Sequence, residues 1–466
     1  MKYNTVLKGG TVVDPFNSVY QKLDVGIANG KIEALGSGLS GETEWDVSGK
    51  VVLPGVIDMH VHVSDLLGGH RGYRMAAATG VTTIIDYAGP MDDILSNLSA
   101  LGCGMNVGCL QAVLPDEVGQ DPSRDQIRHY LNKSLTQGAL GLKILGGHSP
   151  LTPSASRYCV EEANNQRVFV ACHAGSTEQR SDIFGLKEAV EYSKGYRLLM
   201  AHINAYCRGN RYNYLEELRD AFRMLNENPN IISDSHVALG NGTSGQCSNG
   251  VPLDKITQNC LRMFGYPPTT DGLEASIRAG LTKVIAATET ENILLENEAA
   301  LAHWGRGVGP VNISFPANNP VTAAACLLER RSGTRDFLIP LTATDGGGFP
   351  RNGLLQRLLA YYKLGHLTLD EVVCKCSLNP AQVFALEGKG HLGVGADADI
   401  TVADLATSNA VMSFAGGQPI LVNGTLYGSG GTLITTKEGE KICRENQLPC
   451  KIIEPENGLF YQEAIL

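Results

Sequence analysis

From residue 54 onward, short apolar runs alternate with helix-length segments, and this alternation constrains the fold more than any other feature of the sequence. Strands that alternate with helices are typical of a parallel sheet covered by helices. Eight such units are the number that closes a barrel. The sequence therefore predicts an α/β protein, a (β/α)₈ TIM barrel, with these strands: Val56–His62, Thr83–Asp86, Val107–Val113, Leu140–Leu145, Val168–His173, Leu198–His202, Ile231–Ser235 and Leu341–Asp345.

The two ends of the chain have a different residue pattern, typical of short β-strands. Residues 1–53 alternate like short strands and contain an Asn29-Gly30 hairpin turn, and strand texture returns after residue 390. We expect residues 1–53 and 391–435 to pair into a small β-sandwich beside a barrel that spans residues 54–390. The polar residues 436–466 are interpreted as a C-terminal tail.

One connection is far too long for a simple barrel. Residues 236–340 separate the seventh and eighth strands, whereas βα connections usually take about two to six residues. Because this segment leaves the carboxyl end of a strand, we expect it to lie over the face where barrel active sites are found.

Charge and composition exclude several classes of protein. The 466 residues carry a formal net charge of −10 without a basic cluster, which argues against nucleic acid or an anionic membrane as partner. No run approaches the ~18 apolar residues of a membrane span, and the first residues lack the pattern of a signal peptide. We expect a cytoplasmic protein whose 12 cysteines are reduced thiols.

The first predicted strand carries a pair of histidines. His60 and His62 alternate on one face of the strand, together with Asp58. Two imidazoles spaced about 6–7 Å apart can converge on one ion, and imidazole is a common ligand of zinc. The pair on its own is weak evidence, because such a motif also occurs in ordinary strands.

Further polar residues recur where later predicted strands end. His173 lies 30 residues after Lys143, and His202 lies 29 residues after His173, which is about one βα unit in each case. Asp345 ends the eighth strand. Because the carboxyl ends of parallel barrel strands meet at one rim, these residues and the histidine pair indicate one shared site.

This pattern resembles the amidohydrolase superfamily, and its hydantoinase–dihydropyrimidinase–dihydroorotase branch is nearest. The resemblance covers nearly the whole chain. It is carried by the strand-end residues above and by three further motifs, which are Val52-Leu53-Pro54-Gly55, Ser377-Leu378-Asn379-Pro380-Ala381 and Gly395-Ala396-Asp397-Ala398-Asp399.

The resemblance implies two divalent metal ions, zinc first, with manganese or nickel as alternatives. His60, His62 and Asp345 would hold one ion, and His173 and His202 the other. Lys143 would react with CO₂ to form a carbamate that bridges both ions, because an unmodified ammonium group would repel them. That reaction needs a neutral amine, so burial must first lower the pKa of Lys143. A lysine that only extends to solvent at a strand end is the alternative.

The mechanism that follows is hydrolysis of a carbon–nitrogen bond. Water between two divalent ions loses a proton near neutral pH and becomes a nucleophile. Asp345 would accept that proton and pass it to the leaving nitrogen, so it would act as both ligand and general base.

Five further residues are weaker candidates for substrate contacts. His148 follows Lys143 by five residues, and Arg208 follows the strand that bears His202, where a guanidinium could bind a carboxylate. Arg71, Tyr73 and His236 also follow predicted strands. Each has an ordinary structural alternative.

We expect an enzyme that acts on a small amide and forms a homo-oligomer, a dimer or a tetramer. The first substrate class is a cyclic amide or imide, such as a hydantoin or a dihydropyrimidine. The alternative is an N-acyl amino acid, including the D-isomer, which a deacylase of the same superfamily would cleave. A third hypothesis is a non-catalytic, dihydropyrimidinase-like scaffold, which the complete ligand set argues against.

Overall fold

The computed structural model describes residues 3–462. The N-terminal strands are β1 (Tyr3–Asp14), β2 (Val19–Ala28), β3 (Lys31–Gly36), β4 (Gly41–Asp46) and β5 (Val51–Pro54). Strand β1 is one long strand, because an irregularity between Leu7 and Gly10 shifts its register against β2 without breaking the pairing.

Eight parallel strands then close a barrel, as the alternating sequence predicts. We call each of the eight strand positions around the barrel a stave. The first seven staves and their helices are β6 (Val56–His62), α1 (Arg71–Ala77), β7 (Val81–Asp86), α2 (Met91–Leu101), β8 (Asn106–Cys109), β9 (Gln111–Ala112), α3 (Pro115–Val118), α4 (Arg124–Thr136), β10 (Gly141–Ile144), α5 (Pro153–Asn165), β11 (Phe169–Cys172), α6 (Ile183–Tyr192), β12 (Leu198–Met200), α7 (Tyr214–Glu227) and β13 (Ile231–Ser235). The third stave is split into β8 and β9. The interior strand residues are buried, so the barrel is a packed core rather than a pore.

The long segment after β13 folds into a small unit with its own core. Its elements are β14 (Thr243–Ser244), β15 (Cys247–Ser248), β16 (Val251–Pro252), α8 (Lys255–Met263), α9 (Thr270–Arg278), β17 (Lys283–Ala287), β18 (Asn292–Leu295), α10 (Asn297–Trp304) and β19 (Asn312–Ser314). Leu261, Ile277, Trp304 and Phe315 belong to its separate hydrophobic core. Helix α11 (Pro320–Leu328) then returns the chain to the barrel and packs against α7 and β13.

This insertion lies over the barrel mouth, where its position in the sequence predicts it. The Asn292 side chain donates to the carbonyls of Gly68 (2.9 Å) and Gly348 (2.7 Å), which lie in the loops after the first and eighth staves. On another side, Asp254 contacts His148, which follows β10, at 3.3 Å. The insertion is therefore attached to several rim loops at once.

The eighth stave is split into β20 (Leu341–Thr342) and β21 (Gly346–Gly347), which pair with β13 and β6 and so close the barrel. Helices α12 (Leu354–Lys363), α13 (Leu369–Val373) and α14 (Asn379–Val383) follow. Strands β22 (Ile400–Asp404), β23 (Asn409–Ala415), β24 (Gln418–Val422) and β25 (Thr425–Leu426) then return to the N-terminal strands through the pairing of β22 with β5. Both ends of the chain share one hydrophobic core in this nine-stranded sheet.

The last described residues pack against the barrel. Strand β26 (Thr432–Thr435) pairs with barrel strand β8, although the sequence pattern groups it with the sandwich, and α15 (Glu440–Glu445) and β27 (Cys450–Ile452) follow. The Phe460 ring lies 5.4 Å from that of Phe169, at the start of β11, so the tail covers the amino end of the barrel. All 12 cysteines are free thiols. Within the described residues, no helix has the length and apolar character needed to cross a bilayer.

Candidate metal centre

The six predicted metal ligands line one cavity at the carboxyl end of the barrel. Each follows or ends a different stave, except for His60 and His62, which share β6. The parallel arrangement of the strands thus brings together residues that are up to 285 positions apart, counted from His60 to Asp345. The predicted ligands in the cavity wall are His60, His62, Lys143, His173, His202 and Asp345.

Asp345 lies at the centre of the first group of donors. Its Oδ1 atom is 3.0 Å from His62 Nε2 and 3.5 Å from His60 Nε2, and its Oδ2 atom is 3.9 Å from His202 Nε2. Ligand atoms of His60, His202 and Asp345 all lie within 4.8 Å of one another. This arrangement suits a divalent ion.

The second group of donors adjoins the first. His173 Nδ1 lies 3.1 Å from His202 Nε2, and His173 Nε2 lies 3.1 Å from Ser181 Oγ. Burial lowers the pKa of His60, His173 and His202 well below the usual value. These imidazoles are therefore neutral, which is the form that binds metal.

Lys143 is the donor that fits ordinary packing least. Its ammonium nitrogen is buried and has no hydrogen-bond partner among residues 3–462. Burial lowers its pKa, although Cys172, Asp234 and Asp345 partly oppose this. An orphaned amine with a lowered pKa between two groups of metal donors is what carbamate formation requires, so the residues present fit a two-metal centre.

Two of the ligands adopt a left-handed backbone conformation. His202 has φ 62° and Asp345 has φ 51°. Residues of this type tolerate the left-handed region better than most, yet the conformation costs free energy and is concentrated at functional sites. Here it turns each side chain from the end of its stave into the cavity.

Asp234 contributes to the site although the sequence pattern did not single it out. It is buried on β13, its Oδ2 lies 3.3 Å from His60 Nδ1, and its Oδ1 accepts a 2.8 Å hydrogen bond from the backbone N–H of His202. A carboxylate on the far nitrogen of a ligand histidine fixes its tautomer and orientation. The one available signal was an acidic residue within a buried strand.

Asp58 anchors the loop that carries Asp345. It is buried and accepts hydrogen bonds from the backbone N–H (3.1 Å) and the hydroxyl group (2.6 Å) of Thr344. Burial raises the pKa of Asp58 to about 7. The first residue of the Asp-x-His-x-His motif therefore supports the site from behind.

Arg351 reaches further into the site than its sequence position suggests. Its Nη2 lies 2.5 Å from Asp345 Oδ2, and its Nη1 donates to the Gly240 carbonyl at 2.9 Å. Burial raises the pKa of Asp345, but Arg351 and the neighbouring histidines outweigh burial and hold this pKa well below its usual range. The carboxylate is therefore ionised.

The structure places three of the five candidate substrate residues in the cavity wall. His148 has its ring 4.9 Å from that of His173, Arg208 donates to Asn318 Oδ1 (2.6 and 3.1 Å), and His236 lies beside His202. The other two do not reach the cavity. Arg71 donates to the Thr288 carbonyl of the insertion at 2.5 Å, and Tyr73 is fully buried in α1.

Comparison with known proteins identifies similar chains. A model of the amidohydrolase family matches residues 330–428. An allantoinase of Enterococcus faecalis is 39% identical over 427 residues, 86% of this chain and 87% of that one. A D-aminoacylase of Alcaligenes xylosoxydans xylosoxydans is 23% identical over 91% of this chain and 94% of its own.

Solved structures share the fold over nearly the whole chain. A D-aminoacylase with a binuclear metal centre superposes with a TM-score of 0.66 at 18% identity, covering 92% of this chain and 99% of that one. D-hydantoinase superposes with a TM-score of 0.57 at 18% identity and covers 93% and 98%.

Proposed function

We propose, from the premise that this chain belongs to the amidohydrolase family, that it opens a cyclic amide or imide of the hydantoin or dihydropyrimidine type by two-metal hydrolysis. Its relatives are hydrolases of carbon–nitrogen bonds other than peptide bonds. The observation that carries the proposal is the buried, unpartnered Lys143 amine between the two groups of donors. The relative that is 39% identical, an allantoinase, supports the cyclic substrate.

The residues present would hold two divalent ions, which we propose to be zinc, with manganese or nickel as alternatives. His60, His62 and Asp345 would hold one, His173 and His202 the other, and the carbamate of Lys143 would contact both. When bound, the ions supply Lewis acidity toward the carbonyl oxygen and lower the pKa of the attacking water.

Asp345 would move the proton. Its Oδ1 atom faces His62 and His60, which makes it the ligand oxygen, and its Oδ2 atom, which lies 2.5 Å from Arg351 Nη2, would accept the proton. Because Arg351 disfavours protonated Asp345, the acid gives the proton up readily to the leaving nitrogen. The insertion is attached to the loops at the mouth and would shield this transfer from bulk water.

A second candidate is hydrolysis of an N-acyl amino acid, including the D-isomer. The specific observation in its favour is that Arg208 and Arg351 both line the metal cavity. Their guanidinium groups could bind the carboxylate of such a substrate through paired hydrogen bonds. The D-aminoacylase relative supports this candidate.

A hydrolysis screen tests the proposal. Metal-loaded protein would be assayed with hydantoin, dihydrouracil and allantoin, and in parallel with N-acetyl-D- and N-acetyl-L-amino acids, while metal content is measured by mass spectrometry. Ring opening with about two ions per chain is the expected result. Turnover of only the N-acetyl compounds would favour the second candidate, and the absence of both turnover and bound metal would favour a scaffold.

A further inference from the structure

A second, larger cavity adjoins the metal cavity. It has a volume of about 310 Å³, whereas the metal cavity leaves about 50 Å³ of free space. The smaller volume holds only a few water molecules, so most of a substrate must extend elsewhere. The outer cavity lies between the loop after β11 and helix α8, and its wall includes Arg180, Arg208, Asn259, Arg262 and Met263.

The two cavities share a wall. Arg208 and Ile256 line both of them. Ser181, which lines the outer cavity, lies 3.1 Å from His173 Nε2 with its hydroxyl and donates to the Ala174 carbonyl at 2.8 Å. A substrate with its carbonyl at the metal ligands would thus pass Arg208 into the outer cavity.

The outer cavity has an excess of positive charge. Within the described part of the chain, Arg180, Arg208 and Arg262 form no ion pair with an acidic residue. Arg208 and Arg262 instead donate to the neutral amides of Asn318 and Asn259. The one carboxylate in the wall, Asp182, is already paired with Arg211 at 2.7 Å.

Three arginines without an acidic partner among the described residues line this one cavity, whereas Arg278 and Arg306 in the insertion each pair with acidic residues. Guanidinium groups around a concave surface raise the local concentration of anions. Their planar forks match carboxylate and phosphate groups.

We propose that the outer cavity is a subsite for a carboxylate group on the substrate, distant from the bond that is cleaved. This inference rests on the proposed function and narrows its substrate class to amides or cyclic imides that bear a carboxylate-tipped side chain. Arg208 lies at the inner end of the subsite, and Arg180 and Arg262 lie at its exposed rim.

Matched acid and amide substrates test the subsite. Metal-loaded protein would be assayed with 5-(2-carboxyethyl)hydantoin and its primary amide, and with N-acetyl-D-glutamate and N-acetyl-D-glutamine. Each pair has the same shape and differs in charge. For the pair that is hydrolysed, kcat/KM should favour the acid by roughly 10-fold or more, as a charge-assisted hydrogen bond supplies.

The double variant Arg180→Gln/Arg262→Gln should reduce this ratio at least roughly 5-fold, because only Arg208 remains. Arg335→Gln is the matched control: Arg335 is exposed, has no acidic partner among the described residues and precedes the amino end of β20. The control should keep the native ratio. A native ratio near 1, or an unchanged ratio in the double variant, would overturn the proposal.

Binding separates this inference from the proposed function. Titration calorimetry of metal-loaded protein with glutarate, its monoamide glutaramate and inorganic phosphate needs no turnover. Glutarate should bind more tightly than glutaramate and phosphate, and its affinity should fall in the double variant but not in Arg335→Gln. If no substrate is hydrolysed but glutarate still binds more tightly than glutaramate, only the proposed hydrolysis is refuted. Equal binding of glutarate and glutaramate would refute the subsite. Tighter binding of phosphate would overturn the carboxylate assignment.

Discussion

Replacing Asp234 with asparagine should change which nitrogen of His60 carries the proton. In the native chain, the Asp234 carboxyl group lies 3.3 Å from His60 Nδ1 and accepts from the His202 backbone N–H (2.8 Å), so we expect His60 to carry its proton on Nδ1 and to keep Nε2, 3.5 Å from Asp345, free for metal. An asparagine that keeps its oxygen on the His202 N–H must turn its amine toward His60. The proton of His60 then moves to Nε2, where it blocks metal binding.

The structure sets the size of the effect. Loss of an orienting partner costs about 10–100-fold in metal affinity, or about 1.4–2.7 kcal/mol. The 3.3 Å contact is longer than a typical N–H···O hydrogen bond. Asp234→Ala, which removes only the group that orients His60, should therefore lower metal affinity by about 10-fold. Asp234→Asn should lower metal affinity by about 100-fold, because it also selects the wrong tautomer of His60.

Zinc affinity measured by competition with a chelator would test this order, with thermal unfolding of each variant as a check on folding. Asp58→Asn is the matched control. The hydroxyl group of its partner Thr344 can accept as well as donate, so the swap of acid for amide should be tolerated. Equal or tighter zinc binding by Asp234→Asn than by Asp234→Ala would refute the tautomer argument.

Three further changes have expected outcomes. Lys143→Ala should lose most bound metal and activity, and added acetate or propionate should restore part of the activity by replacing the carbamate; a variant that keeps two ions and full turnover would exclude the bridge. Asp345→Asn should retain most metal but lower kcat by ~10²–10⁴ because the proton acceptor is gone, and near-normal kcat would exclude that role. Burial lowers the pKa of Lys375 to about 7, so the unfolded chain binds more protons than the folded chain above pH 7. From pH 6 to pH 9, the free energy of unfolding of the native chain, measured in urea, should therefore rise by roughly 2–3 kcal/mol relative to that of Lys375→Met. The same pH dependence in both chains would contradict this.

Much of the barrel, and the arrangement of the six candidate ligands around one cavity, could be predicted because strand periodicity places these residues near the carboxyl ends of the barrel strands. Val56–His62 and Ile231–Ser235 have the predicted bounds, since each begins with apolar residues and ends on a polar residue. The third predicted strand is split into β8 and β9 because its first half pairs with β26 and its second half with β10. That competition involves residues more than 300 positions apart, which local periodicity does not encode.

The residues that support the ligands were harder to find. Asp234 lies in an ordinary strand sequence, and only its contact with His60, 174 positions away, reveals its role. Arg351 fits the start of a helix, but its charge reaches Asp345 because the chain turns at Gly353 before α12 begins. Both effects depend on side-chain direction across the closed barrel, and the sequence spacing carries no such information.

The pairing of β5 with β22 also has a consequence for biosynthesis. Val52 pairs with Val402, so the N-terminal strands leave the ribosome about 350 residues before their partner. At ~5–20 residues per second, their open edge waits about 20–70 s. Contacts of such long range slow folding, and an exposed strand edge promotes aggregation in the meantime. We therefore expect a nascent chain that stops before β22 to aggregate more readily than one that includes β22, because the edge of β5 stays exposed.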